Sequence, residues 1–318
     1  MTVSLSTSES APGTAEADVL VIGVIQTPDG PSAAPGAAPT PTARITAAGN
    51  LPPLGILVSS SSSPVAPEDG GAFDAEKLRR AAGTAMRDLS GNKLAVKDKG
   101  EGKTVTLALP AKTRAEAEAV ATGALLGGYS FRRYRATPAP DIAVTLLTSD
   151  ENAAAVKRGE VIAAAVNLVR DLVNTAPSDL PPAALAAEAE RIAADRGIAV
   201  QVLDETELRA GGYGGIAAVG QGSTRPPRLV RLEYTHPEAD KTVAFVGKGI
   251  TFDSGGLSLK TPKGMETMKC DMSGAAAAPP MSDFMVSMDF GGLSDRPPES
   301  NVMPLPTNAT VFAASGWV

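Results

Sequence analysis

Between Lys248 and Asp271 the chain gathers Lys248, Asp253, Lys260, Lys263, Lys269, Cys270 and Asp271 among glycines. The stretch opens on Val243–Val246, an apolar run with the look of a buried strand, followed by Gly247-Lys248-Gly249. Asp253 stands just before Gly255-Gly256, and Lys269-Cys270-Asp271 closes the set. Carboxylates delivered from strand ends and glycine-rich turns suit hard or borderline cations, and lysines beside them add positive charge where an oxyanion could develop. The competing reading is a loop-rich junction whose charges are simply solvated, and either acid taken alone supports that reading better.

Taken whole, the string GKGITFDSGG, then LK, then MKCDMSGAAA, closely resembles the signature of the leucyl (cytosol) aminopeptidase family of two-metal exopeptidases. The resemblance implies that Lys248, Asp253 and Asp271 correspond to metal ligands. Lys260 corresponds to the catalytic lysine that polarises the peptide carbonyl, and Met268 to the lining of the pocket for the substrate's first side chain. Such an enzyme removes N-terminal residues from peptides with two divalent ions, Zn or Mn. The ions lower the pKa of a water nucleophile and bind the carbonyl oxygen. An ammonium has no lone pair, so Lys248 could join a cation only by giving up its proton.

The resemblance runs from about Val19, weakly at first and tightly after Arg170, and stops at Ala278. Family members continue with a long apolar helix, further strands and an Asn-Thr-Asp-Ala-Glu-Gly-Arg motif carrying the remaining metal ligands. Here Pro279-Pro280 is expected to break the helix at its first turn. The acids that follow, Asp283, Asp289, Asp295 and Glu299, lie in no equivalent spacing. So abrupt a change is expected of a frameshift, a misjoined reading frame or a truncated gene model, with a genuine short paralogue as the alternative. At most one divalent ion is therefore expected on this chain, and an impaired activity. The alternative is an inactive fragment whose N-terminal domain serves as a binding or assembly module. A small-molecule binder using that domain, macro-like in fold by the resemblance, is a third reading.

The elements that must position these residues are legible in order. With 318 residues and 43% hydrophobic content, the chain can bury two cores, built from Ala, Val and Leu because aromatics reach only 4%. Strands are expected at Asp18–Ile25, Leu54–Val58, Thr104–Leu109 and Asp141–Leu147. Helices are expected at Phe73–Leu89 and Arg114–Leu126. Residues 27–43, rich in Pro, Ala and Gly, are read as flexible loop, and Ser59–Ser63 as loop. GGYSFRRYR is read as core packing with solvated arginines rather than a base-stacking surface.

Strand–helix alternation makes this an α/β architecture of two domains. The expected division is a disordered 1–17, an α/β domain over 18–150, an incomplete α/β metallopeptidase domain over 151–278, and a poorly ordered tail over 279–318. In the second domain, helices at Lys157–Val173 and Leu185–Arg196 flank the caps and prolines of NTAPSDLPP. The strand Ala199–Leu203 and a short helix from Asp204 follow. GGYGGIAAVGQGSTRPPRL lacks a phosphate-loop pattern and is read as a structural passage. It leads to the strand Leu229–Tyr234, with Val243–Val246 as its neighbour.

A net charge of −6 argues against a general nucleic-acid binder. No apolar run is long enough to span a membrane, and the N-terminus lacks a secretory leader's features. Cys270 is the only cysteine, which excludes an internal disulfide and fits a reducing, cytoplasmic setting; it is read as a buried thiol. His236, the only histidine, sits in a polar turn and shares no motif with Cys270, so no nucleophile–histidine triad is visible. Peptides are the expected substrates. The homo-hexamer that the resemblance implies for the family is expected to be lost here.

Overall fold

The structure is a computed structural model that describes residues 3–9, 19–27, 30–33, 55–59, 74–91, 104–136, 141–194, 197–235, 241–279 and 307–317. It divides into two compact units, Met1–Ala164 and Ala165–Val318, with the division falling inside one long helix.

The first unit contains β1 (Val3–Ser8), β2 (Val19–Thr27), β3 (Gly30–Ala33), β4 (Gly55–Ser59), α1 (Ala75–Gly91), β5 (Thr104–Ala108), α2 (Arg114–Gly127) and β6 (Ile142–Leu147). It also holds the start of α3 (Ala153–Asn174). The strand order is β1-β6-β5-β2-β3, with β4 also paired to β2. All pairings are parallel except β2 with β3. Parallel strands need covered faces. Accordingly Val105, Thr106, Leu107 and Ala108 of β5 are buried in succession. The main layer over the sheet comes from Leu78, Ala82, Ala85, Met86 and Leu89 of α1, spaced for one helical face, with Ala117, Val120, Ala121 and Ala124 of α2. Thr113 and Glu116 form a capping box that starts α2.

Two expectations are corrected here. The N-terminus was expected to be disordered over 1–17, yet Val3–Ser8 is a strand in parallel register with β6, and Val3 and Leu5 pack against the core. The proline-rich segment was expected to be loop, yet Gly30–Ala33 returns antiparallel along β2. The aromatic cluster also differs. Phe131 and Tyr134 meet edge to face at 5.5 Å, with Tyr134 52% exposed, so the rings pack on each other near the surface rather than in the core. Arg132 is ion-paired with Asp141.

The second unit continues with α4 (Pro182–Ala194), β7 (Ala199–Leu203), α5 (Glu205–Ala210), α6 (Gly214–Gly220), β8 (Arg228–Tyr234), β9 (Lys241–Phe252), α7 (Pro262–Met265) and β10 (Thr307–Trp317). Asp204 caps α5 through a box with Glu207. The glycine-rich passage contains the short helix α6. The sheet order is β7-β8-β10-β9. Its core combines Leu185, Ala186, Ala189 and Ala193 of α4 with Val230 and Leu232 of β8. Met272, Ala275, Ala276 and Ala278 join them, with Phe245 of β9 packed alongside.

This order corrects the tail and the pairing of the preceding strands. β8 and β9 were expected to be neighbours; β10 lies between them, antiparallel to β8 and parallel to β9. The tail was expected to lack order, but Thr307, Thr310, Val311, Phe312 and Trp317 are good strand formers with no proline among them. The acids Asp283, Asp289, Asp295 and Glu299, and His236, lie outside the described residues. Among the described residues no helix is long and apolar enough to cross a membrane.

Candidate active site

The site is built where β9 ends. Alternation along the strand half-buries Val243 and Phe245 and exposes Ala244, Val246 and Lys248. Asp253 follows the last strand residue, and its Oδ1 accepts from the Gly255 N–H at 2.9 Å, a turn that an aspartate can make with its own backbone. Gly255 holds φ at +117°, and a Cβ there would lie 2.3 Å from the Ser258 carbonyl oxygen. Glycine is thus required for the chain to turn. The loop closes on itself through the Gly255–Leu259 bridge and the bond from Lys260 N–H to Ser254 O at 2.8 Å. That closure returns Lys260 to Asp253, where Nζ donates to Oδ2 at 2.6 Å. The same Nζ lies 3.9 Å from Met268 Sδ.

The chain then turns through α7, capped by Thr261 with Pro262 in its first turn, into a 3-10 turn over Met268–Met272. That turn carries Asp271. Lys248 Nζ donates to the Asp271 carbonyl oxygen at 3.1 Å and lies 2.5 Å from Asp271 Oδ2. The second contact is an ion pair without hydrogen-bond alignment, so Oδ2 is buried with no hydrogen-bond partner. Lys269 Nζ binds Asn174 Oδ1 at 2.8 Å.

Lys248, Asp253, Lys260, Met268 and Asp271 therefore gather in one cluster. Lys260 is the main influence that holds the Asp253 carboxyl below its ordinary value of 3.8. Burial opposes it, and the Gly255 N–H and the Lys248 charge reinforce it. Cys270 corrects the expectation of a buried thiol: the 3-10 turn leaves it exposed, with no disulfide. The Asn174 bond escaped sequence reading because asparagine at a helix end also reads as a stop signal. Its only clue was the run of polar residues after α3.

Charge and geometry decide what the cluster can hold. Both oxygens of Asp253 already accept hydrogen bonds, whereas buried Asp271 Oδ2 meets the Lys248 ammonium as an ion pair without hydrogen-bond alignment. Among the described residues no group of three or more His, Cys, Asp or Glu could hold a metal ion. The donors fit one divalent cation in part, with Asp271 as its natural anchor. Among the described residues no third such side chain joins Asp253 and Asp271 to bridge a pair of ions.

The profile of the cytosol aminopeptidase family's catalytic domain matches residues 167–289, and that of its N-terminal domain matches residues 68–138. A probable cytosol aminopeptidase of Streptomyces griseus is 43% identical over 314 residues, covering 86% of this chain and 59% of the relative. One of Streptomyces avermitilis is 48% identical over 237 residues, covering 71% of this chain and 44% of the relative.

Among solved structures, the bottromycin maturation enzyme BotP in complex with Mn is similar at a TM-score of 0.65 and 28% identity. It covers 95% of this chain and 60% of BotP. The cytosol aminopeptidase of Coxiella burnetii reaches a TM-score of 0.58 at 27% identity, covering 79% and 50%. The chain thus spans at most about 60% of the length of these proteins. With both domain profiles matched in chain order and such identity over most of its length, this chain belongs to the cytosol aminopeptidase family.

Proposed function

We propose that this chain carries part of the machinery of a metal-dependent aminopeptidase that releases N-terminal residues from peptides. The observation that supports this most is the convergence of Lys248, Asp253, Lys260 and Asp271 in two adjoining ion pairs. Asp271, Asp253 and Lys248 are the residues that would hold a divalent cation, manganese being favoured by the Mn complex of BotP and zinc being the other candidate. Bound there, the ion would supply a water nucleophile at neutral pH and an electrophile for the peptide carbonyl.

The remaining work falls to side chains. Lys260 presents its ammonium where the tetrahedral oxyanion would form, and Met268 beside it offers an apolar wall for the first side chain of the peptide. Water adds to the carbonyl carbon, the C–N bond breaks, and the departing amine takes the proton.

The same geometry limits this chain. Each carboxylate already holds a lysine, so a cation must displace an ammonium. We therefore propose a single, loosely held ion and little turnover of leucine amides by the 318-residue chain. The first unit has a closed core of its own, which favours a second reading as a catalytically silent binding or assembly module.

Titration calorimetry with Mn2+ and Zn2+, beside an assay of leucine p-nitroanilide hydrolysis, tests both. One weak site abolished by Asp271→Asn supports the first reading, and no binding by the intact chain supports the second. Robust metal-dependent turnover would overturn the limit placed here on activity. In a relative-length version, Lys260→Ala should lower kcat by about 10²–10³, the scale for losing one oxyanion donor. We also propose a cytoplasmic location and loss of the hexamer; a monodisperse hexamer in sedimentation would refute the latter.

A further inference from the structure

We infer that Gly247 and Gly274 are positioning residues: their backbone-to-backbone contact holds Lys248 on Asp271. The role of that pair rests on the reading above, but the contact itself does not. A Cβ on Gly247 would lie 2.2 Å from the Gly274 carbonyl oxygen, 2.5 Å from its carbonyl carbon and 2.8 Å from Ala275 N. A Cβ on Gly274 would lie 3.0 Å from Lys248 N and 3.2 Å from Lys248 O. Both contacts are with backbone, which cannot swing aside as a flexible side chain would. Backbone conformation does not explain the glycines. Among the described glycines, positive φ occurs at Gly197, Gly212 and Gly255 and at neither of these positions. Space is what glycine supplies here.

The consequence is geometric. Gly247 precedes Lys248 on β9, and Gly274 stands in the first turn of the helix over 273–279, just after Asp271. Where the two backbones touch, the Lys248 ammonium reaches both the carbonyl oxygen of Asp271, at 3.1 Å, and its carboxylate, at 2.5 Å. Separating the elements by about 1 Å would carry the first contact beyond hydrogen-bond range. It would also stretch the carboxylate contact into a longer, weaker ion pair. Asp253 and Lys260 are joined through their own loop, closed by the Lys260 N–H to Ser254 O bond, and do not depend on this contact. The two ion pairs of the site are therefore separable. One is fixed by a loop, the other by a glycine contact between a strand and a helix.

The test uses Gly247→Ala and the milder Gly274→Ala, with Gly222→Ala as control because a Cβ there meets nothing. Lysine acylation at one fixed neutral pH, read residue by residue by mass spectrometry, reports how far each ammonium is engaged. Labelling of Lys248 should rise roughly two- to fivefold in Gly247→Ala, the scale of a partly exposed ion pair, and by a smaller but measurable factor in Gly274→Ala, whose neighbour need give only slightly, while Lys260 and the control stay at wild-type rates.

Lys248 unchanged in a folded variant would overturn the inference. So would Lys248 and Lys260 rising together, since that is general loosening rather than positioning. If Gly247→Ala fails to fold, Gly274→Ala decides, its overlap being the smaller. Should that fail as well, labelling of wild type against Asp271→Asn decides: an unchanged Lys248 would mean there is no engagement to position. Mn2+ titration of the wild type is the separate arm. Absence of Mn2+ binding would sink the metal reading while leaving the labelling result intact.

Discussion

One strand in each unit shows how differently the two are built. In the first unit β5 buries Val105, Thr106, Leu107 and Ala108 one after another, between parallel neighbours on both sides. In the second unit β9 half-buries Val243 and Phe245 but leaves Val246 81% exposed and Lys248 beside it on the open face. Both units use glycine to bring backbones into contact. A Cβ on Gly127 of α2 would lie 2.1 Å from the Gly83 carbonyl oxygen of α1, and one on Gly247 would lie 2.2 Å from that of Gly274. Around the first contact stand Ala82, Met86, Val120 and Ala124, all wholly buried. Beside the second stand Lys248 and Asp271. One device closes a core in the first unit and brings opposite charges together in the second.

The largest expected effect sharpens that contrast through packing. Leu107→Ala should destabilise the first unit by about 2–5 kcal/mol, because its side chain is wholly buried and the cavity cannot collapse freely. Val246→Ala should change stability by no more than about 0.5 kcal/mol, since the side chain is already largely in water. Urea denaturation of each variant measures the difference, and equal losses would break the comparison. Gly127→Ala belongs with Leu107→Ala: overpacking against backbone should cost about 1–3 kcal/mol.

A smaller effect compares two capping boxes of the same design. Glu116 is 3% exposed and accepts from the N–H groups of Lys112 and Thr113. Glu116→Ala strands both donors, at about 1–3 kcal/mol. Glu207 accepts from Asp204 N–H in an exposed box, where water replaces it. Glu207→Ala should therefore cost only about 0.5–1 kcal/mol. Amide exchange at Thr113 and Asp204 reads this directly: similar acceleration at both would mean that burial does not set the difference.

Sequence reading recovered what rests on local pattern. Helical spacing placed α1, alanine content placed α2, and short apolar, β-branched runs placed β5, β6 and β7. The residues at the end of β9 were singled out by the resemblance of the GKGITFDSGG string to a family signature, not by local pattern. Long-range partners were not legible. β1 depends on a pairing with β6, far along the chain, and β10 on two neighbours that could equally have paired with each other. Gly247 and Gly274 look alike in sequence to any turn glycine, and only the contact between their elements reveals that space is their role. Cys270 was read as a buried thiol because no histidine shares its motif to make it a nucleophile, but a 3-10 turn puts it outside.

The smallest expected effect concerns acid, and it also separates the two regions. Asp253 is held below 3.8 chiefly by the hydrogen bond from Lys260. Burial pulls the other way, and Gly255 N–H and the Lys260 and Lys248 charges add to the lowering. A carboxyl whose folded value is depressed binds its proton more readily when unfolded. Its contribution to stability is therefore complete above its unfolded value and lost as pH falls through the folded one. Asp253 is partly open to solvent and its partners are charged side chains, so screening keeps the effect small. Lys260→Gln should raise the Asp253 value toward 3.8 in a carboxyl-carbon NMR titration, because the leading cause of the depression is gone. Gly255 and Lys248 would still hold part of the shift. A titration curve for Asp253 identical in wild type and Lys260→Gln would mean that the lysine does not engage the carboxylate in solution, and the loop would lose its claim to fix the pair.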